Sequence, residues 1–230
     1  MPVFKLIDEI IFPPVDLAEP DGLLAIDGDL SAERLLTAYS QGIFPWYSEG
    51  SPIMWWSPDP RLVLFPDEIR VSRSLRQVIN KNTFRVTMDE AFDNVIRLCS
   101  DVHRRDDGGT WITGEMIDAY SDLHARGYAR SVESWEGDKL AGGLYGVSIG
   151  SVFFGESMFS LRSNASKVAF VSLVEDLKVS GCRIIDCQVT TGHLKSLGAR
   201  EIPRSEFMDI LRAEKLEEMV VGLSDRSNKY

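Results

Sequence analysis

LAGGLYGVSIGSVFFGESMFS, from Leu140 to Ser160, decides the fold. Both halves are apolar and β-prone, and they meet at Ile149-Gly150, a hairpin signal. ARSVESWE, from Ala129 to Glu136, reads as the strand before them, set off by the turn EGDK. The pattern then changes period. NASKVAFVSLVEDLKVSG reads as a helix capped near Asn164 and ended by Gly181, and CRIIDCQV reads as the next strand. Antiparallel strands mixed with helices point to an α+β (mixed) fold.

The flanks extend this reading. RLVLFP is a strand, and SRSLRQVINKN a helix with Leu75, Val78 and Ile79 on one side. FRVTMD is a short strand, DEAFDNVIRLCSDVHRR a helix, and RRDDGG a turn. ITGEMIDAYSDLHARG is an amphipathic helix with Met116, Ile117, Tyr120 and Leu123 inward and Gly127 past its end. HLKSLG and EIPRSEFMDILRAEKLEE read as closing helices. The first sixty residues look irregular and rich in proline and glycine, apart from one helix capped by Ser31 and ended by Gly42. The aromatic loop GIFPWYSEGSPIMWWSPDPR follows, where four prolines forbid a long helix. A boundary near Arg61 separates a small N-terminal domain, 1–60, from a larger domain, 61–230.

A chain of 230 residues with 44% apolar and 26% charged residues can bury a substantial core. Three cysteines, no leader-like start and no bilayer-length apolar run read as a soluble, cytoplasmic protein without a membrane partner, and a monomer is expected. Net charge is -10, but residues 1–60 hold ten acids against two bases. From Ile69 to Val86 the chain instead carries Arg70, Arg73, Arg76, Lys81 and Arg85 with no acid. Such a window is either a solvated helix face or a patch for a phosphate backbone.

Two constellations could carry chemistry. Glu156 is the lone charge in GSVFFGESMFS, and burying a carboxylate among phenylalanines is costly without donors or a cation. It either recognises a positive group or takes a proton, or else pairs with an internal arginine such as Arg162 or Arg130. In IIDCQV, strand alternation places Asp186 and Gln188 on one face and Cys187 on the core side with Ile185. That polar pair is either functional or only satisfies loop backbone groups. GGLYGVSIG matches neither phosphate-binding glycine pattern and reads as close strand packing. The Cys and His spacings do not suit zinc, and no G-x-S-x-G elbow occurs.

Taken in order, GLLAIDGDLSAERLLTAYSQGIFPWY, MWWSPDPR, VSRSLRQV, GTWIT, LHARGYARSVESWEG, LAGGLYGVSIGSVFFGESMFS, NASKVA and IIDCQVTTGHLKSLGA resemble the leucyl/phenylalanyl-tRNA–protein transferase family. The resemblance spans about residues 20 to 205. It implies a small N-terminal domain joined to an acyltransferase domain of the GNAT-like type. It implies transfer of Leu, Phe or, less readily, Met from aminoacyl-tRNA to proteins with N-terminal Arg or Lys, marking them for N-end rule degradation. No metal or coenzyme is implied. By motif, Glu156, Asp186 and Gln188 form the polar centre. Trp46 and Trp111 lie near the aminoacyl end, Phe153, Met158 and Ile185 line the side-chain pocket, and Arg73, Arg76 and Lys81 meet the tRNA backbone. In this reading Asp186 polarises or orients Gln188, which accepts a hydrogen bond from the incoming amine, while Glu156 attracts the basic acceptor. Three departures stand out: Arg130 where the family usually has His, CSDVHRR where a Pro-Arg pair is usual, and IDGDL for GGDL. The alternatives are a metabolite N-acetyltransferase of the same superfamily and a non-catalytic tRNA-binding module.

Overall fold

The structure, a computed structural model, describes residues 3–107 and 110–220. The chain clusters into two compact units, Met1–Arg61 with Glu201–Tyr230, and Leu62–Arg200.

The first unit contains a four-stranded sheet that the sequence reading did not find. β1 (Phe4–Leu6) and β2 (Leu23–Asp27) run parallel, while β3 (Phe44–Pro45) and β4 (Met54–Trp56) pair antiparallel in the order β1-β2-β4-β3. These strands have two to five residues, too short to show a period between prolines and glycines. α1 (Ala32–Ser40) forms as expected, with Ser31 Oγ accepting from the Arg34 amide and Gly42 at φ 69° beyond its end. The central tryptophan of the aromatic loop is core. Trp55 is fully buried, edge-on to Phe12 at 5.0 Å, with its indole N–H donated to the Asp27 carbonyl.

Residues from Glu201 onward cluster with this first unit, whereas the sequence reading carried them in the second domain. The reason is packing. Phe207, Met208 and Leu211 of the helix Arg204–Ala213 face Gly42, where a Cβ would come within 2.8 Å of the Met208 sulfur. The guanidinium of the fully buried Arg61 lies between the rings of Phe44 and Phe207, at 4.8 and 4.9 Å.

The second unit is built on β5 (Arg61–Leu64), β6 (Arg85–Met88), β7 (Ala129–Glu136), β8 (Lys139–Ile149), β9 (Val152–Ser160) and β10 (Ile184–Gln188). With β11 (Arg200–Ile202), a strand the sequence reading missed, the sheet order is β11-β5-β10-β9-β8-β7-β6. β6 to β9 form an antiparallel run, and β9 and β10 are parallel. α2 (Arg73–Asn80), α3 (Phe92–Asp107), α4 (Gly114–Ala125), α5 (Ala165–Val179) and α6 (Gly192–Ser196) complete it. The hydroxyls of Ser72, Thr113 and Thr191 cap α2, α4 and α6. Asn164 sits at the start of α5 but in a left-handed conformation with no side-chain cap bond. The expected turn at RRDDGG is overturned in part: α3 runs on through Asp107, and Gly108-Gly109 lie outside the described residues.

One apolar cluster joins α5 to the sheet through Leu144, Phe153, Ile185, Leu173 and Val174, with Met158 packed against it. Each large side chain fully buried there contributes about 1.5–3 kcal/mol. The glycines of β8 allow this approach, as expected. A Cβ at Gly142 would strike Ala165 and the Ser166 amide at 2.7 Å, and one at Gly146 the Phe154 carbonyl at 2.3 Å.

Candidate active site

The regular ladder fails at two adjacent places. On β9, Ser157 pairs with Tyr145 and Gly155 with Gly146, so Glu156 is the extra residue of a β-bulge. On β10, Asp186 pairs with Val63 and Gln188 with Leu62, so Cys187 is the extra residue of a second bulge. The parallel pairing of β9 with β10 ends at Phe154 and Asp186, next to both. Bulges re-aim side chains, and these two bring together groups that lie 32 positions apart.

Gln188 Nε2 donates to Glu156 Oε1 at 2.7 Å, and the Tyr120 hydroxyl donates to Glu156 Oε2 at 2.9 Å. Hydrogen bonds to an ionised group contribute about 1.5–3 kcal/mol each, which offsets the desolvation of this buried carboxylate. The arginine pairings considered for Glu156 are overturned. Arg162 pairs with Glu136 at 2.9 Å, and Arg130 with Asp89 at 3.0 Å and Asp176 at 3.7 Å.

Asp186 is fully buried, and its Oδ1 accepts the backbone N–H of Gln188 at 2.9 Å. Gln188 sits at φ 60°, a left-handed conformation rare outside glycine and asparagine. An Asx-type bond of this kind stabilises such a turn. Asp186 therefore holds Gln188 through the main chain. Because the Gln188 amide nitrogen is given to Glu156, its Oε1 is the atom left to accept from a substrate N–H. Cys187 is half-buried and packs against the apolar cluster.

Beneath Glu156 lies a layer with no counterpart in the sequence reading. Tyr145 is fully buried, edge-on to Tyr120 at 5.6 Å and to Phe92 at 5.9 Å, and its hydroxyl has no hydrogen-bond partner among the described residues. Burial pushes the Tyr145 phenol well above its ordinary range, and the Glu156 charge and then Cys99 add to the rise. Burial likewise pushes the Cys99 thiol up to about 12, against a hydrogen bond with Ser157. The available signal for Tyr120 was its inward place on α4, since a buried phenol needs a partner.

The apolar residues expected at the site also meet. Ile185 and Phe153 are register partners across β10 and β9, and Met158 packs against the same cluster. Trp111 is half-buried between α3 and α4, with its carbonyl accepting from the Thr113 amide. Trp46 belongs to the first unit, 42% exposed and tilted against Trp56 at 5.9 Å. Arg73, Arg76 and Lys81 are exposed on α2 or just past its end, and none of them makes an ion pair among the described residues.

Comparison with known proteins meets this geometry at the level of the whole chain. Residues 63–212 match the family model for leucyl/phenylalanyl-tRNA protein transferase, and residues 28–59 match the model for its N-terminal domain. A leucyl/phenylalanyl-tRNA–protein transferase of Syntrophobacter fumaroxidans is 62% identical over 224 residues, 97% of this chain and 95% of the relative. One from an Anaeromyxobacter species is 60% identical over 90% of this chain and 89% of its own. One from Desulforapulum autotrophicum is 52% identical over 96% of this chain and 97% of its own. Both matched segments and near full-length identity lead to one conclusion: the chain belongs to the leucyl/phenylalanyl-tRNA–protein transferase family.

Proposed function

We propose that this protein moves leucine or phenylalanine, and less readily methionine, from aminoacyl-tRNA to the α-amine of proteins beginning with arginine or lysine, so marking them for degradation. The observation that carries this reading is the Gln188–Glu156 hydrogen bond, which orients the Gln188 amide with Oε1 as an acceptor. An aminoacyl ester is already activated, so the protein's task is alignment and charge stabilisation. The neutral amine of the acceptor attacks the ester carbonyl carbon, with one N–H bonded to Gln188 Oε1. A peptide bond forms and the bond to the terminal ribose oxygen breaks. That oxygen leaves with the proton released by the amine, so the products are an extended protein and a tRNA with a free hydroxyl. No covalent enzyme intermediate is needed.

Each neighbour has a share in this scheme. Asp186 fixes the Gln188 backbone, Tyr120 and Gln188 hold the Glu156 carboxylate, and that negative charge favours a basic acceptor. The half-buried Met158, backed by the buried Phe153 and Ile185, is proposed to line an apolar pocket suited to large aliphatic or aromatic side chains. Such surface discriminates by only about 1–3 kcal/mol per methylene, so a small set of related amino acids is accepted. Trp46 or Trp111 is proposed to stack on the terminal adenosine, and Arg73, Arg76 and Lys81 to contact the tRNA backbone.

Transfer of labelled leucine from leucyl-tRNA to peptides beginning with arginine or glycine tests this. Label on the arginine peptide alone is expected. Label on neither, with intact charged tRNA, overturns the activity, and equal label on both overturns the acceptor rule.

A further inference from the structure

The glycines of β8 are forced by packing: a Cβ at Gly142, Gly143 or Gly146 would come within 2.7, 2.9 or 2.3 Å of neighbouring backbone. Gly155 on β9 is different. Its φ lies outside the left-handed region. A Cβ there would meet only the Asp186 carbonyl oxygen among the described residues, at 3.4 Å, an ordinary contact. Glycine in a strand interior otherwise weakens the strand. Neither the backbone nor the packing of the chain itself therefore calls for glycine at this position.

Register fixes where the missing side chain would point. Gly155 stands opposite Gly146, whose own Cβ direction leads to the Phe153 ring. Alternation along β9 puts Gly155 on the face of Phe153, the register partner of Ile185. Past the bulge, Met158 pairs with Leu144 and packs on the same apolar cluster. Cys187, the bulge residue of β10, packs there too. The row Phe153, Gly155, Met158 thus lacks its middle side chain. Phe153 and Ile185 are each 1% exposed, whereas Gly155, Met158 and Cys187 are half-buried. The space over Gly155 is an approach to that apolar surface, and Gln188 follows Cys187 directly. We propose that Gly155 is a specificity-determining position, whose lack of a side chain admits the side chain of the donor aminoacyl group between Phe153, Met158 and Cys187. The inference rests on the proposed activity for its ligand. A slot with apolar walls suits the uncharged donor side chain, and a basic acceptor side chain would lose its hydration there without a counter-charge.

The test adds one methyl group and compares two donors, phenylalanyl-tRNA and leucyl-tRNA. Gly155→Ala is expected to keep or raise Tm, because the Cβ fits and the strand gains by it. It is expected to lower kcat/KM for the phenylalanyl donor by about tenfold or more and for the leucyl donor by about threefold or less, since the bulkier side chain feels the filled slot more. KM for the acceptor peptide is expected to stay unchanged. An equal loss with both donors, or none with either, overturns the slot. A Tm lower by several degrees also overturns it, because the fold itself would then need the glycine. If the wild-type protein uses neither donor, the proposed activity fails, and the slot is judged by calorimetric titration with adenosine carrying phenylalanine through a 3′ amide. Binding to Gly155→Ala at least about tenfold weaker than to wild type supports the slot. Equal affinity for both, or no binding to wild type, overturns it.

Discussion

Two glutamates of one sheet occupy similar sequence, V-E-S-W at Glu133 and G-E-S-M at Glu156, and both are buried. Glu133 stands in the regular ladder of β7, opposite Thr87 and Gly143. Its oxygens accept from Ser131 Oγ and Thr87 Oγ1, and Thr87 Oγ1 in turn accepts the Trp135 indole N–H. Every partner belongs to β6 or β7. Glu156 instead stands in a bulge and is held by Tyr120 from α4 and Gln188 from β10. Burial of a carboxylate is common to both, so burial alone does not mark function. What separates them is that the Glu156 network orients a further group, Gln188, and leaves its carbonyl oxygen without a partner among the described residues.

The comparison breaks most readily at Gln188. Gln188→Ala is expected to lower kcat/KM for aminoacyl transfer by about 100-fold or more while leaving the fold intact. Wild-type activity in that variant would move the centre elsewhere. Next, the two glutamates are exchanged for their amides. Glu156→Gln is expected to cost about 10- to 100-fold in kcat/KM, because it removes the charge that orients the Gln188 amide. Glu133→Gln is expected to keep activity within about twofold and lower unfolding free energy by about 1–3 kcal/mol in urea titrations. A reversed order of the two activities would sink the distinction.

Finer effects sharpen it. Asp186→Asn retains an oxygen for the Gln188 amide and is expected to keep kcat/KM within about tenfold, whereas Asp186→Ala loses the turn and falls further. Equal loss in both would mean that the Asp186 charge matters, not its backbone bond. Tyr145→Phe removes an unpartnered buried hydroxyl and is expected to raise unfolding free energy by about 1 kcal/mol, read as a higher Tm. A fall would reveal a partner for the phenol. The smallest effect concerns Cys99. Since burial raises its pKa to about 12, it stays a thiol at pH 8 and is expected to react more slowly than Cys182 or Cys187 in the folded protein.

The residue at position 130 shows how far a departure from a family pattern can be read. In the sequence it bore on either tRNA contact or packing. Arg130 bridges Asp89, in the left-handed turn before α3, and Asp176 on α5. The substitution is therefore accommodated by local packing, with half-exposed pairs of modest strength. The start of α1 was legible because the capping hydroxyl of Ser31 satisfies a neighbouring amide within three residues; Ser72 and Thr113 cap in the same way but were not singled out in the sequence. The short strands of the first unit were not legible, since their pairing depends on partners far along the chain. Glu133 escaped notice because its stretch, ARSVESWE, also carries Arg130 and Glu136, so it does not stand out as a lone acid in apolar company as Glu156 does.

The sequence by itself determined the mixed class, most of the helices and long strands, and the polar residues to watch: Glu156, Asp186 and Gln188. These rest on periodicity, capping and the cost of an acid in apolar company, all of which act over a few residues. Only the tertiary structure decided that two bulges aim these groups at one another, that Asp186 acts on backbone, and that Tyr120 completes the carboxylate's partners. A bulge is a mismatch in count between two strands, so it exists only when both strands are in place.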